Sequence, residues 1–365
     1  METLKRDRTA TSMRVLEGRK QEVSAHSQDI AGINEVAPGI FEVKAIHEEH
    51  PPLLIAGGIH GDEKAGIAIL DHIIGELAKV KTKVRRSLLL VYGNLEAMRA
   101  SDFMGARCVE PEKGELSNLN RCFGRGLFEN PETYAQRRAN EITEAVESFV
   151  SRFGVPDVID IHQSFAVPSL RAVRAGPPDR SDYTYAMAYP VHGEGPSLSW
   201  FYESYSDIVA AVVLNDMACE HHTFAGYMAS AYGANAATFE QGTIGYIDFD
   251  TFVPQLQRNL LRKIGGEERL RHQEGYDVWR VVRSVAKQTE DFHFVDSDCR
   301  RTDAPVDFLP LRRGDRGGTV AVDGDTVHEL TKGERPLFAN ANVPIGDRAL
   351  AVVVPHETDV IPRPE

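Results

Sequence analysis

Several features that mark familiar function classes are scarce or missing in this chain. Of 365 residues only four are cysteines, Cys108, Cys122, Cys219 and Cys299, and no two form a C-x-x-C pair. That argues against an all-cysteine metal site and against a disulfide framework, and fits reduced packing residues in a cytosolic protein. No run of roughly 18 apolar residues occurs, so no segment reads as a membrane span. Residues 1–20, METLKRDRTATSMRVLEGRK, have no apolar core and do not read as a secretory signal. Basic charge falls short of acidic charge, leaving a formal net charge of −13. An acidic protein is a poor general partner for nucleic acid or an anionic membrane, although a locally positive pocket for a small anion remains open to it. Neither G-x-S-x-G nor G-x-x-x-x-G-K-[ST] is present, which disfavours a serine hydrolase and a P-loop enzyme. There is no internal repeat or low-complexity tract.

What is present reads as an α/β protein. Apolar residues make up 42% of the chain and charged residues 26%, a globular balance with ample material for a core. GIFEVKAI and LLIAGG, within residues 39–58, read as two strands joined by the charged turn HEEHPP. The second run is continuously apolar, as in a strand covered on both faces. It ends in Gly57-Gly58, and the helical pattern AGIAILDHIIGELAKV follows. Strand, glycine turn and helix in that order are the α/β signature. SLLLVYG (87–93) predicts another buried strand, Pro131–Phe153 a helix, DVIDIH (157–162) a short strand, and AATFE (236–240) a strand ending at Gln241-Gly242. Ile208–Met217 is apolar without a clear period. Past a polar helix expected around Gly266–His272, short runs such as WRVVRSVA, FHFV, TVAVDG and ALAVVVP alternate with Gly, Pro and Asp turns, which is all-β texture. The expected organisation is a flexible tail over 1–35, an α/β unit over 36–274 and a smaller β-rich unit over 275–365.

Gly57-Gly58-Ile59-His60-Gly61-Asp62-Glu63 is the most informative segment. His60 and Glu63 stand three apart directly after a buried strand, and on a helical turn that spacing puts both on one face. Imidazole and carboxylate both suit zinc, whose catalytic sites commonly take three protein ligands and leave one position open. The neighbouring glycines would let backbone approach the ion. Alone, the pair reads more readily as a solvated strand-to-helix turn. His162 ends DVIDIH at the carboxyl edge of a strand, where α/β sheets build their sites, and Asp160 on the same face could hold its ring. Glu240 closes another buried strand; a carboxylate there can take a proton from water and deliver it to a leaving amine. Local pattern alone equally allows a strand-end glutamate paired with an arginine.

GGIHGDE, SNLNRCF, DVIDIH and TFEQG, in this order, resemble the succinylglutamate desuccinylase/aspartoacylase family, a branch of the zinc-carboxypeptidase-like hydrolases. The resemblance runs through GNLEAMRA and on to PLFANANVPIGDRALAVVVP, roughly residues 40–355, with the C-terminal part closer to the desuccinylases. It implies a zinc-carboxypeptidase-like mixed sheet flanked by helices, followed by the smaller all-β domain. It implies one zinc ion per chain on His60, Glu63 and His162, with Glu240 as catalytic base. Asn120 and Arg121 fall on the family pair that binds a substrate carboxylate, a role that suits a planar guanidinium. Arg107 resembles the family arginine that polarises the scissile carbonyl, but the inserted EPEKGE separates it from Asn120 and leaves Arg99 as a competitor. After the third ligand this chain reads His162-Gln163-Ser164-Phe165-Ala166, with Arg171 and Arg174 later, where the desuccinylases read histidine-threonine-alanine. That segment faces substrate in the family. His192, His221 and His222 read as loop or core histidines.

The expected activity is zinc-dependent hydrolysis of a small anionic N-acyl amino acid in the cytoplasm, N-succinyl-L-glutamate first among candidates, as in arginine breakdown. Competing readings are another N-acyl amino acid deacylase (an N-acetyl-diaminobutyrate deacetylase or an aspartoacylase-like enzyme), a carboxypeptidase-type peptidase, and a non-catalytic binding module that keeps the fold. Neither nucleic acid nor membrane is an expected partner, and no feature fixes an oligomeric state.

Overall fold

The structure, a computed structural model, describes residues 32–45, 47–79, 84–100, 105–164, 184–189, 211–215, 222–243, 252–266, 277–295, 300–302 and 317–356. Expectations on Arg171, Arg174, His192, His221, Cys219, Cys299 and the polar stretch 267–272 lie outside the described residues, as does residue 1–31 of the expected tail.

In chain order the strands are β1 (Ile33–Ala37), β2 (Ile40–Val43), β3 (Leu53–Gly57), β4 (Leu88–Tyr92), β5 (Asp157–Ser164), β6 (Thr184–Tyr189), β7 (Ala211–Leu214), β8 (Ala236–Thr243), β9 (Asp277–Ala286), β10 (His293–Val295), β11 (Arg301–Thr302), β12 (Gly318–Asp323), β13 (Thr326–Leu330), β14 (Arg335–Leu337) and β15 (Arg348–Pro355). The α-helices are α1 (Lys64–Leu77), α2 (Leu95–Arg99), α3 (Tyr134–Phe153), α4 (Phe224–Tyr232) and α5 (Phe252–Ile264). Among the described residues they build an 11-stranded sheet of order β1-β2-β4-β3-β5-β8-β6-β7-β9-β15-β14 and a 4-stranded sheet of order β11-β10-β12-β13. The ladder is parallel across β4-β3-β5-β8, while β6 runs antiparallel beside β8, so the sheet is mixed.

The continuous apolar runs have a direct cause. Successive strand residues face opposite sides, and here both sides are covered. Leu54, Ala56, Leu89 and Val91 pack with Ile142, Val146 and Phe149 of α3 and Phe224 and Met228 of α4. Leu53, Ile55, Leu88 and Leu90 pack with Ile69, Leu70 and Ile73 of α1 and Leu256 and Leu260 of α5. Helix α3 starts later than its pattern suggested, at Tyr134, because Thr133 caps it: its hydroxyl accepts from Gln136 N–H while Gln136 Oε1 accepts from Thr133 N–H.

Two boundaries and one separation differ from expectation. Strand β1 begins at Ile33, inside the stretch read as tail, because Ile33 to Ala37 pair with β2. Strand β8 runs through Gly242 to Thr243 instead of ending at Glu240. The β-rich C-terminal part is not wholly separate: β9 pairs in parallel with β7, and β15 and β14 continue the large sheet. Among the described residues β10–β13 form a separate sheet, over a third core of Phe292, Phe294, Val320 and Leu350.

Candidate metal and substrate site

The carboxyl ends of β3, β5 and β8 lie side by side. Val158, Asp160 and His162 of β5 pair in register with Ala236, Thr238 and Glu240 of β8. Because side chains alternate, these two triplets share the α3/α4 face, and His162 and Glu240 are direct neighbours. The turn after β3 brings His60 and Glu63 to the same edge. Glu63 is the residue before α1, not a helical residue, and its N–H donates to His60 O at 3.2 Å. The i,i+3 proximity read from the sequence therefore comes from a tight turn and not from a helix face.

His60, Glu63 and His162 each offer a ligand atom, and these atoms lie within 4.8 Å of one another. Their exposures are 3, 1 and 3%, so this is a buried donor set and not a surface cluster. His60 Nδ1 is 2.7 Å from Glu63 Oε1, and His162 Nδ1 is 2.8 Å from Glu63 Oε2. The outer nitrogens are also partnered: His60 Nε2 lies 3.1 Å from Asn118 Oδ1, and His162 Nε2 lies 2.9 Å from Asp160 Oδ2. A ring that donates Nε2–H to its acceptor leaves its Nδ1 lone pair for an ion held beside Glu63. Two imidazoles and one carboxylate, each fixed from behind, fit a zinc-type ion.

The electrostatics of the two rings differ. Burial pushes His60 down to about 3, and the charge of Arg107 acts the same way, so His60 is neutral as a ligand must be. Burial opposes charge on Glu63, yet His60 and His162 hold its carboxyl well below the usual range. Burial also opposes charge on His162, but Asp160 and Glu63 flank the ring and raise it well above the ordinary imidazole value. This pocket favours positive charge between its acids. Burial pushes Glu240 up to about 7, with His162 pulling against the rise and Glu63 adding to it. A carboxyl poised there can both accept and return a proton near neutrality.

The cationic side is built from the segment between α2 and α3. Arg107 Nη1 reaches Glu63 Oε1 at 3.1 Å. Arg99, the alternative, is an exposed residue at the end of α2. Asn120 and Arg121 belong to a short 3-10 turn, Leu119–Arg121, which Asn118 caps. Asn118 Oδ1 also accepts from Asn120 N–H at 3.0 Å, and Asn120 Oδ1 accepts from Phe224 N–H at 2.9 Å, which directs the Asn120 amide nitrogen elsewhere. Arg121 Nη1 donates to Asn120 O at 2.8 Å. Burial lowers Arg121 to about 10, and the like charges of Arg348 and Arg107 add to that, so this wall of the site is electropositive.

Residues 49–262 match the model of the succinylglutamate desuccinylase/aspartoacylase catalytic domain. The chain belongs to this family. Residues 274–356 match the AstE/AspA barrel-sandwich hybrid domain. The succinylglutamate desuccinylase of Pseudoalteromonas atlantica is 28% identical over 340 residues, covering 90% of this chain and 88% of the relative. That of Pseudomonas syringae pv. tomato is 29% identical over 336 residues, covering 89% and 90%. Among solved structures, a succinylglutamate desuccinylase from Vibrio parahaemolyticus superposes with a TM-score of 0.69 at 23% identity, covering 89% of this chain and 88% of that one, a likeness of fold.

Placed in the succinylglutamate desuccinylase/aspartoacylase family, three residues change meaning. Gln163, expected on a substrate-facing loop, lies inside β5 and is buried; its Oε1 accepts from Ala65 N–H at 3.1 Å at the start of α1, and its own N–H donates to Glu63 Oε2 at 3.0 Å. It braces the turn that carries His60 and Glu63. Gly61 was expected to clear room for an ion, but a Cβ there would stand 2.3 Å from Ala97 C, so the glycine admits neighbouring backbone instead. Asn118 was not singled out from the sequence. The signal was present, in the same SNLNRCF motif, two residues before Asn120. His222 lies in the described part with Nδ1 3.0 Å from Phe123 O, a loop contact as expected. No described helix is long and apolar enough to cross a membrane.

Proposed function

We propose that this protein is a zinc-dependent amidohydrolase that cleaves N-succinyl-L-glutamate to succinate and L-glutamate, a step of arginine breakdown in the cytoplasm. The observation that carries the reading is the register of His162 beside Glu240, which sets a proton-transferring carboxyl against a buried His60/Glu63/His162 donor set. Curated relatives named succinylglutamate desuccinylase, matched over about nine-tenths of both chains, support the choice of acyl group.

His60, Glu63 and His162 would hold the ion, which when bound supplies Lewis acidity for the amide carbonyl and for water. The remaining work belongs to the chain. Asn120, through its amide nitrogen, and Arg121 take a substrate carboxylate and lay the amide across the site. Glu240 removes a proton from the attacking water as its oxygen bonds to the carbonyl carbon. Arg107 donates to the carbonyl oxygen as that oxygen gains negative charge. Glu240 then gives the proton to the amine nitrogen as the C–N bond breaks. The acid is released as carboxylate and the amino acid as free amine. Three arginines near one wall suit a substrate anionic at both ends.

Two measurements test this. Metal analysis of the purified protein should find one zinc per chain, lost in His60→Ala and in His162→Ala; unchanged zinc in both variants would end the metal assignment. A panel of N-succinyl, N-acetyl and N-formyl amino acids should place N-succinyl-L-glutamate first in kcat/KM. Equal or better turnover of N-acetyl-diaminobutyrate or N-acetyl-aspartate would move the substrate to a sister activity.

A further inference from the structure

Lys64 stands where elementary electrostatics disfavours it. It is the first residue of α1, at the positive end of the helix dipole, in a first turn with no acidic residue. It is also buried, only 9% exposed, and an ammonium out of water needs good partners. It has two. Nζ donates to Gly61 O at 2.6 Å, in the metal-ligand turn, and to Met98 O at 3.2 Å, in the last turn of α2. Lys64 therefore straps the ligand turn to the segment that leads into Arg107.

The backbone of the two segments is equally close. A Cβ on Gly61 would meet Ala106 O at 2.7 Å, and one on Gly105 would meet Gly61 O at 2.1 Å and Lys64 Nζ at 2.5 Å. Ala106 N–H donates to Ala97 O at 2.8 Å and Gly105 N–H to Ala100 O at 2.9 Å, closing the segment on itself. Arg107 is the next residue, and its guanidinium reaches Glu63.

We propose that Lys64 is a positioning residue: its grip on Gly61 O and Met98 O sets the backbone of residues 105–107 against the ligand turn and so aims Arg107 at the reacting carbonyl. This rests on the reading above that Arg107 acts on that carbonyl. Lys64 itself touches no reacting atom.

The test is a double-mutant cycle on metal-loaded protein: wild type, Lys64→Met, Arg107→Ala and the double variant. Methionine keeps a long apolar stem and removes the donors. Lys64→Met should keep stoichiometric metal and lower kcat by roughly 10- to 100-fold, as expected when a catalytic group is misplaced by about an ångström, with KM little changed. In the Arg107→Ala background the same substitution should cost less than about twofold, because coupled residues are not additive. Lys64→Gln, which keeps an N–H donor, should recover part of kcat; if Lys64→Met does not fold, the cycle is run on Lys64→Gln. The same fold-loss in both backgrounds, or an unchanged kcat in Lys64→Met, overturns the role of Lys64 while leaving Arg107 in place. Normal turnover in Arg107→Ala alone overturns both.

Discussion

Asn118→Ala separates the metal site's outer support from its ligands. Asn118 Oδ1 faces His60 Nε2 at 3.1 Å and accepts from Asn120 N–H at 3.0 Å, so one oxygen serves a proposed metal ligand and a proposed substrate-binding residue. Loss of the partner behind a ligating histidine typically weakens metal binding by about 10- to 100-fold, or about 1.4–2.8 kcal/mol. The second hydrogen bond adds its own effect. With zinc in excess, the unanchored Asn120 should cost about 1 kcal/mol in kcat/KM, roughly fivefold. Competition for zinc against a chromophoric chelator measures the first quantity, and kinetics at saturating zinc the second. Asn118→Asp keeps an acceptor at the same place and should bind zinc at least as well as wild type. If Asn118→Ala holds zinc with wild-type affinity, Asn118 does not fix the His60 tautomer.

Glu240→Gln should retain zinc and lose about 10²- to 10⁴-fold in kcat, the usual share of a general acid–base group; near-normal turnover would remove Glu240 from the mechanism. Because burial raises Glu240 to about 7, its basic form is lost as pH falls through that value. In the wild type kcat/KM should therefore climb with pH up to about neutrality and drop close to tenfold per unit below it; an acid limb that persists unchanged in Glu240→Gln would belong to another group. Arg121→Ala should lower kcat/KM for N-succinyl-L-glutamate by roughly 10- to 150-fold, the worth of a charged hydrogen-bond pair; equal losses for a substrate lacking that carboxylate would mean that Arg121 supports structure instead. Phe149→Ala, which empties a fully buried position between α3 and the sheet, should destabilise the fold by about 3–5 kcal/mol in urea unfolding, and a loss under about 1 kcal/mol would contradict the packing described.

Strands β3 and β4 were legible because unbroken apolar runs have few other uses than a sheet covered on both faces. The proximity of His60 and Glu63 was legible from three residues of spacing, although the turn that creates it was not. Glu240 was different in kind. Its relation to His162 is a parallel register between strands 78 positions apart in the chain, His162 to Glu240, and no local pattern encodes that. Family motifs supplied it. The glycine error has a similar origin: Gly61 is demanded by Ala97 and Ala106, and a sequence cannot say which of several neighbours a missing side chain makes room for. Gln163 was misplaced because β5 continues past His162 to Ser164, so a position expected in a loop became a buried strand residue bonded to Ala65.

The β7–β9 junction governs how this chain can be assembled. Strand β7 hydrogen-bonds to β6 on one side and to β9 on the other, and β9 begins only at Asp277. While the polypeptide is being made, β7 waits with its outer row of amides and carbonyls uncapped until the last quarter of the chain arrives. Such an interval is when unpaired edges recruit wrong partners. Cutting the gene just before Asp277 would make that interval permanent, so the piece ending at residue 276 should be sticky even though His60, Glu63, His162, Glu240, Arg107, Asn120 and Arg121 all lie inside it. The C-terminal strands are thus the seal on the sheet as well as the start of a second unit.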